Sequence, residues 1–334
     1  MTKLVIQIPC LNEAEDLPAT LAALPRRIAG IDTIEILVID DGSTDNTAQV
    51  AAMWGVQHIV RHRTNRGLAA AFQSGLDAAL RAGADILVNT DADGQYAGED
   101  IETIIRPILD GRADIVVGDR GVADNAHFGP LKRRLQRLGS AVVQQLANVQ
   151  VSDAVSGFRA ISREAAYRLN ITTEFSYTTD MLIQAGRKRL AILSVPIRTN
   201  ATPRPSRLFK SVPRFIMNTG ITMARVYTTY NPLRAFVGLG LALVGCGLIP
   251  ILRFLFLFAI GEGSGHIQSL VIGGALLVLG TIIAVMGVLA DLIASNRKLI
   301  EAGLVRLRAI EDRLGDRHQV STNDADAREH RRVG

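Results

Sequence analysis

The chain has little sulfur to organise it. Its two cysteines, Cys10 and Cys246, stand in separate apolar runs with no second Cys or His at metal-ligand spacing. A disulfide framework or a zinc site is therefore not expected. Aromatic residues are scarce at 5%, and Trp54 is the single tryptophan. A formal charge of +5 over 334 residues is too modest to point to nucleic acid, and no such partner is expected. There is no internal repeat. Met1-Thr2-Lys3 leads straight into a strand-like run without the apolar region of a signal peptide, so the N-terminal part is expected to stay in the cytoplasm. Apolar residues are in excess: they make up 48% of the chain, the mean hydropathy is +0.21, and they are unevenly spread.

The unevenness is concentrated near the C-terminus. Leu233 to Ile260 and Ile267 to Leu292 are almost wholly apolar, each longer than the roughly 20 residues that cross a bilayer. The link from Gly261 to His266 carries no Lys or Arg, whereas Arg214 and Arg225 precede the first run, Arg234 stands at its start, and Arg297 and Lys298 follow the second. Positive outer flanks place both termini in the cytoplasm, as in a multi-pass protein of the cell membrane. Arg253 lies inside the first run, either snorkelling outward or facing a partner helix. Phe209 to Tyr230 mixes apolar and basic residues at helical spacing and is expected to lie on the membrane surface, in contact with lipids. Residues 206–232 thus form a juxtamembrane segment, 233–293 a two-helix hairpin and 294–334 a charged helix with a disordered tail. Gly273, Gly274 and Gly280 would permit helix association, so a homo-oligomer stays open.

Residues 1–205 read as an α/β domain. Strand-like runs at Leu4–Pro9, Glu35–Ile39, His58–Arg61, Ile86–Asn89 and Asp114–Gly118 alternate with helix-like segments. That alternation predicts a mostly parallel, Rossmann-like sheet flanked by helices. Helices are expected from Asn12-Glu13 to Leu24, from a Ser43 or Thr44 N-cap to about Trp54, and over Glu99–Leu109, Lys132–Asn148 and Ser176–Lys188. Gly121 to Gly129 reads as a loop, Ser156-Gly157-Phe158-Arg159 opens a short strand, and Leu190–Thr199 is another.

In such sheets ligands sit beyond the carboxyl ends of the strands. Asp40-Asp41, Asp91-Ala92-Asp93 and Asp119-Arg120 all fall there. If the chain stays extended through Asp93, Asp91 and Asp93 point the same way and repel each other, which invites a hard cation carrying a diphosphate. Spacing alone is weak evidence, because Asp324-Ala325-Asp326 repeats it in the polar tail.

Pro9-Cys10-Leu11-Asn12-Glu13, Val38-Ile39-Asp40-Asp41-Gly42-Ser43-Thr44-Asp45, Gly67-Leu68, Asp91-Ala92-Asp93-Gly94-Gln95 and Gly118-Asp119-Arg120 occur in the order seen in family 2 glycosyltransferases. The chain resembles the branch that makes polyprenyl-phosphate sugars. Ser156-Gly157-Phe158-Arg159 and the stretch from Arg198 to Arg207 extend the likeness. The resemblance implies a GT-A fold and inverting transfer of a sugar from a UDP- or GDP-linked donor to a polyprenyl phosphate, with Mg²⁺ or Mn²⁺ as cofactor. It implies that Asp91, Asp93 and Gln95 surround the metal, with Asp93 the firmest ligand. Pro9, Asn12, Glu13, Asp40, Asp41, Gly67, Asp91 and Ala92 would line the donor nucleotide. N-capping is the other task open to Asp40 and Asp41. A lipid monophosphate, with a second pKa of about 6, needs no general base but does need cations that hold two phosphates together. Arg120 is the first candidate, followed by Lys132, Arg133, Arg134 and Arg207, with Arg159 and Arg204 also available. The run 132–134 could equally meet anionic lipid heads. A processive polysaccharide synthase fits less well, since its Gln-x-x-Arg-Trp motif is missing and two spans are few for a polymer channel. A catalytically silent membrane scaffold with the same fold is the alternative from another class.

Overall fold

The computed structural model describes residues 1–121, 151–171, 177–200, 227–228, 231–261 and 267–333. The chain divides into two compact units, Met1–Leu208 with Val305–Gly334, and Phe209–Leu304. The expected helix over Lys132–Asn148, most of the loop after Arg120 and nearly all of the amphipathic stretch before Tyr230 fall outside the described residues.

The first unit runs β1 (Lys3–Cys10), α1 (Leu17–Ala23), β2 (Thr33–Asp40), α2 (Thr47–Met53), β3 (His58–Arg61), α3 (Leu68–Arg81), β4 (Ile86–Asn89), α4 (Asp100–Leu109), β5 (Ile115–Asp119), β6 (Arg159–Ser162), α5 (Arg163–Arg168), α6 (Tyr177–Arg187) and β7 (Ile192–Pro196). The strands form one sheet in the order β3-β2-β1-β4-β6-β5-β7. All pairings are parallel except those of β6, which lies antiparallel between β4 and β5.

Alternation along each strand divides the core. Val5, Leu37, Ile39, Leu87, Ile115 and Val117 pack with Phe72 and Leu76 of α3 and Met181 and Leu182 of α6. Leu4, Ile6, Ile8, Val38, Val88 and Val116 face Leu17 and Leu21 of α1 and Ile101, Ile104 and Ile105 of α4. Both faces are covered, which is why the strands read as continuous apolar runs. Each fully buried Leu, Ile or Phe contributes on the order of 2 kcal/mol. The first turn after β1 departs from expectation. Residues 11–16 stay out of helix, and α1 begins only at Leu17, with a proline in its first turn. Likewise α2 starts at Thr47, with Asn46 as a cap that makes no side-chain bond, so neither Ser43 nor Thr44 caps it. The short α5 was not expected; Ser162 caps it by accepting from the Ala165 N–H at 3.2 Å.

The second unit contains α7 (Pro232–Ala259) and the start of α8 (Ile267–Val333). Pro232–Ala259 and Ile267–Arg297, of mean hydropathy 2.3 and 2.5, are long and apolar enough to cross a membrane. Glycines spaced two turns apart let the two helices approach closely. A Cβ at Gly240 would lie 2.6 Å from the Gly280 carbonyl oxygen, and one at Gly273 2.6 Å from that of Gly247. Gly274 faces open space. Where disorder was expected over the last twenty residues, α8 continues to Val333. No proline follows Pro250 to stop it.

Candidate active site

Three loops at the carboxyl ends of β1, β2 and β3 are locked to one another by side chains that sequence alone would assign elsewhere. Asn12 takes a left-handed backbone, φ 56°, and its N–H donates to Ser43 Oγ at 3.0 Å. Asn12 Oδ1 accepts the Thr44 N–H at 2.8 Å, Thr47 Oγ1 accepts the Glu13 N–H at 3.0 Å, and Asp45 Oδ2 accepts the Ala14 N–H at 3.1 Å. The left-handed backbone at Asn12 is not helical, so no helix begins there; these bonds tie residues 12–14 to the loop after β2, and α1 starts only at Leu17.

Asp40 and Asp41 serve the same scaffold. Asp40 Oδ1 accepts the Ser43 N–H at 2.8 Å, while Arg61 Nε sits 3.1 Å from Oδ2, off hydrogen-bond alignment. Asp41 Oδ1 meets His62 Nδ1 at 2.6 Å and the Arg66 N–H at 2.9 Å, and Oδ2 accepts the Gly67 N–H at 2.8 Å. Both carboxylates are buried, at 0% and 4% exposure, and neither caps a helix: Asp40 Oδ1 and both Asp41 oxygens meet protein donors, while Asp40 Oδ2 has no hydrogen-bond donor among the described residues. Gly42, with φ +76°, has no room for a side chain: a Cβ there would lie 2.5 Å from the Asn65 nitrogen. Pro9 is buried at the end of β1, and Gly67 precedes α3 with φ +89°.

The loop after β4 is built differently. The strand ends at Asn89, and the chain turns through Gly94, φ +67°, so the extended geometry expected through Asp93 does not occur. Asp93 Oδ1 instead accepts the Gln95 N–H at 3.0 Å, leaving Asp93 exposed. Asp91 is half-buried. Burial, and next the Asp93 charge, push its carboxyl up to about 6, against the opposing pull of Arg120 and Tyr96. The repulsion expected from the spacing is therefore present, although the geometry is a turn. The Ala92 carbonyl accepts from Thr20 Oγ1 at 2.7 Å.

The back wall comes from the chain leading into β6. The Gly157 N–H donates to the Tyr96 hydroxyl at 3.2 Å, and the Tyr96 ring stacks on Phe158 at 4.9 Å. A Cβ on Gly157 would lie 3.1 Å from both Asp91 oxygens and 3.2 Å from the Tyr177 hydroxyl, so only glycine leaves Asp91 undisturbed. Asn89 Nδ2 donates to the Gly157 carbonyl at 2.8 Å and to Tyr177 at 3.0 Å, which fixes the wall from behind.

Arg120 reaches this wall but is not a loose cation. Its Nε and Nη2 grip Asp153 at 2.6 and 3.1 Å, leaving Nη1 without a partner among the described residues. Arg159, one of the cations considered for phosphate, is fully buried. It donates to the carbonyls of Ala154, Ser156 and Thr178 at 2.7–2.8 Å, so it orders the turn before β6. Lys132, Arg133, Arg134, Arg204 and Arg207 lie outside the described residues. Asp153, Tyr96 and Thr20 were not singled out in the sequence, and Gly157 only as part of a motif; each matters through a partner far along the chain.

The oxygen donors Asp91, Asp93 and Gln95 fit a hard divalent ion. Among the described residues no group of three or more His, Cys, Asp or Glu could hold a metal, so other ligands would have to complete the shell. Neither Asp91 nor Asp93 forms an ion pair among the described residues, unlike Asp40, Asp41 and Asp153.

A mostly parallel sheet flanked by helices, with polar loops at the carboxyl ends of its strands, defines the fold class, and the sequence match names the family. Residues 5–169 match the model of glycosyl transferase family 2, and the chain belongs to that family. Polyprenol monophosphomannose synthase of Mycolicibacterium smegmatis is 30% identical over 204 residues, covering 58% of this chain and 76% of that protein. UDP-N-acetylglucosamine–dolichyl-phosphate N-acetylglucosaminyltransferase of Methanococcus voltae is 32% identical over 189 residues, covering 49% and 74%. Glucosyl-3-phosphoglycerate synthase from Mycobacterium tuberculosis, solved with Mn²⁺, UDP-glucose and phosphoglyceric acid, shares the fold at a TM-score of 0.51 and 22% identity. That likeness covers 66% of this chain and 79% of that one.

Proposed function

We propose that the chain transfers a sugar, with inversion, from a UDP- or GDP-linked donor to a polyprenyl phosphate at the cytoplasmic face of the cell membrane. The observation that carries this reading is the uncompensated Asp91–Asp93 pair at the carboxyl end of β4, with Arg120 beside it. Two relatives whose names specify polyprenol and dolichyl phosphates support the acceptor, and a fold relative with Mn²⁺ and UDP-glucose supports the donor and a divalent ion. The two apolar helices would bring residues 1–205 to the bilayer, with 206–232 lying on its surface, 233–293 crossing it and 294–334 returning to the cytoplasm.

Each described residue then has a task. Asp91, Asp93 and Gln95 would hold Mg²⁺ or Mn²⁺, which when bound supplies Lewis-acid stabilisation of the departing nucleoside diphosphate. Asn12 and Glu13, in the loop bonded to residues 43–47, shape one side of the donor pocket, and Asp40 and Asp41 hold its other loops. Arg120, oriented by Asp153, offers Nη1 to the acceptor phosphate. Lys132, Arg133, Arg134 and Arg207 add cations to that phosphate. The acceptor oxygen is already ionised and attacks the anomeric carbon directly, so no protein group has to take a proton.

The test combines membranes containing the full chain with a panel of nucleotide sugars, undecaprenyl phosphate and Mg²⁺ or Mn²⁺, and measures the lipid-linked product. Product should vanish with chelator and in Asp93→Ala. Lipid glycosylation that survives both sinks the metal reading, and no lipid product from any donor sinks the acceptor reading.

A further inference from the structure

The family match ends at residue 169, yet the aspartate loop rests on a segment beyond it. Residues 197–200, just after β7, are sewn to three places. The Ile197 N–H donates to the Asp119 carbonyl at 2.9 Å. Arg198 holds Asp100 at the start of α4 through its backbone N–H, Nε and Nη2, at 2.6, 3.0 and 2.8 Å. Thr199 bridges to Tyr96 in antiparallel fashion. Asn200 then places two donors on successive carbonyls: its N–H on Gln95 O at 2.8 Å and its Nδ2 on Gly94 O at 3.0 Å.

The second of these bonds bears on the site. The Gly94 carbonyl and the Gln95 N–H are the two ends of one planar peptide unit. Asn200 holds the carbonyl end, and the N–H end donates to Asp93 Oδ1 at 3.0 Å. Rotating that peptide would swing the N–H away from the carboxylate, and Gly94 is a residue at which such rotation meets little steric resistance. Asp93 is exposed and has no ion pair among the described residues, so little else holds it.

We propose that Asn200 is a positioning residue for Asp93: by pinning the 94–95 peptide it holds the exposed carboxylate of the aspartate pair in the orientation that a divalent ion requires. The inference rests on the proposed role of the pair as a metal clamp. Partners that orient metal ligands typically change affinity 10–100-fold when removed. Asn200 acts one step further back, and Asn200→Ala should weaken Mn²⁺ binding about tenfold. Asn200 is exposed and alanine retains its backbone bond to Gln95, so the fold should be little affected.

The measurement is Mn²⁺ binding to the full chain in lipid nanodiscs without nucleotide sugar. Free ion is read by electron paramagnetic resonance, and thermal unfolding is followed in the same samples. Wild type should bind, Asp93→Ala should bind far less, and Asn200→Ala should bind about tenfold more weakly at a nearly unchanged Tm. Arg198→Gln, which loosens the same segment at α4, should lower Tm and leave Mn²⁺ affinity alone. Asn200→Ser takes the place of the alanine variant if that one fails to fold, with weakening again expected. Equal affinity for wild type and the Asn200 variant overturns the inference while the metal reading stands, as does an equal loss in Arg198→Gln. If wild type does not bind, or Asp93→Ala binds as wild type does, the metal reading itself falls.

Discussion

Asp91→Asn should make the metal-free protein more stable while abolishing transfer. The folded chain holds the Asp91 carboxyl near 6, against an ordinary 3.8. It therefore binds the proton more tightly folded than unfolded, and its ionised form opposes folding. That deficit is absent below about pH 4, grows as pH rises from 4 to 6, and is complete above 6. At 1.36 kcal/mol for each tenfold change in proton affinity, it reaches about 3 kcal/mol at pH 7.5. Asparagine keeps the shape and cannot ionise. In chelator at pH 7.5, Asp91→Asn should melt roughly 6–12 °C above wild type, taking about 2–4 °C per kcal/mol for a unit of this size. The gap should close towards pH 4. Saturating Mn²⁺ should narrow or reverse it, since an ion at a hundred times its Kd stabilises its binder by about 2.7 kcal/mol. Thermal melts of the full chain at pH 4.5, 6 and 7.5, with and without Mn²⁺, provide the assay. A variant no more stable than wild type in chelator at pH 7.5, or a gap independent of pH, refutes the electrostatic account of the pair.

Asp153→Asn removes the partner of a nearly buried Arg120 and should cost about 3 kcal/mol in denaturant unfolding; a loss under about 1 kcal/mol would mean that solvent screens the pair. Gly157→Ala places a methyl 3.1 Å from both Asp91 oxygens and should reduce metal-dependent transfer about tenfold, for a stability cost of about 1 kcal/mol. Unchanged kcat/KM there would show that Asp91 can shift freely. In the apolar hairpin, Gly280→Leu should force the helices apart, because a Cβ there lies 2.7 Å from the Gly240 carbonyl oxygen, and should lower Tm in detergent. Gly274→Leu, in open space, should not.

Much of this architecture is legible along the chain. β1, β2, β4 and β5 read as apolar runs because both faces of the sheet are covered, and the two long apolar stretches exceed what a core helix needs. Less legible is anything set by a distant partner. Arg159 looks like a phosphate cation until burial turns its three donors to backbone carbonyls. That Asp41 is held by His62 and by the N–H groups of Arg66 and Gly67 cannot be read from its motif. The helix expected from Asn12 starts late because Asn12 takes a left-handed backbone, bonded to Ser43 and Thr44 more than thirty positions away.

By itself the sequence determined the alternation of strand and helix, the polar clusters at strand ends and the two long apolar helices, because these follow from periodicity, propensity and hydropathy within short windows. Only the tertiary structure decided that β6 enters antiparallel between β4 and β5. That insertion carries Gly157 behind Asp91 and, with the turn before it, Asp153 against Arg120. It also decided that Asn200 holds the peptide beneath Asp93. Those contacts join residues tens of positions apart through burial and hydrogen bonds that no local pattern encodes, and they fix the surroundings of a common spacing of two aspartates.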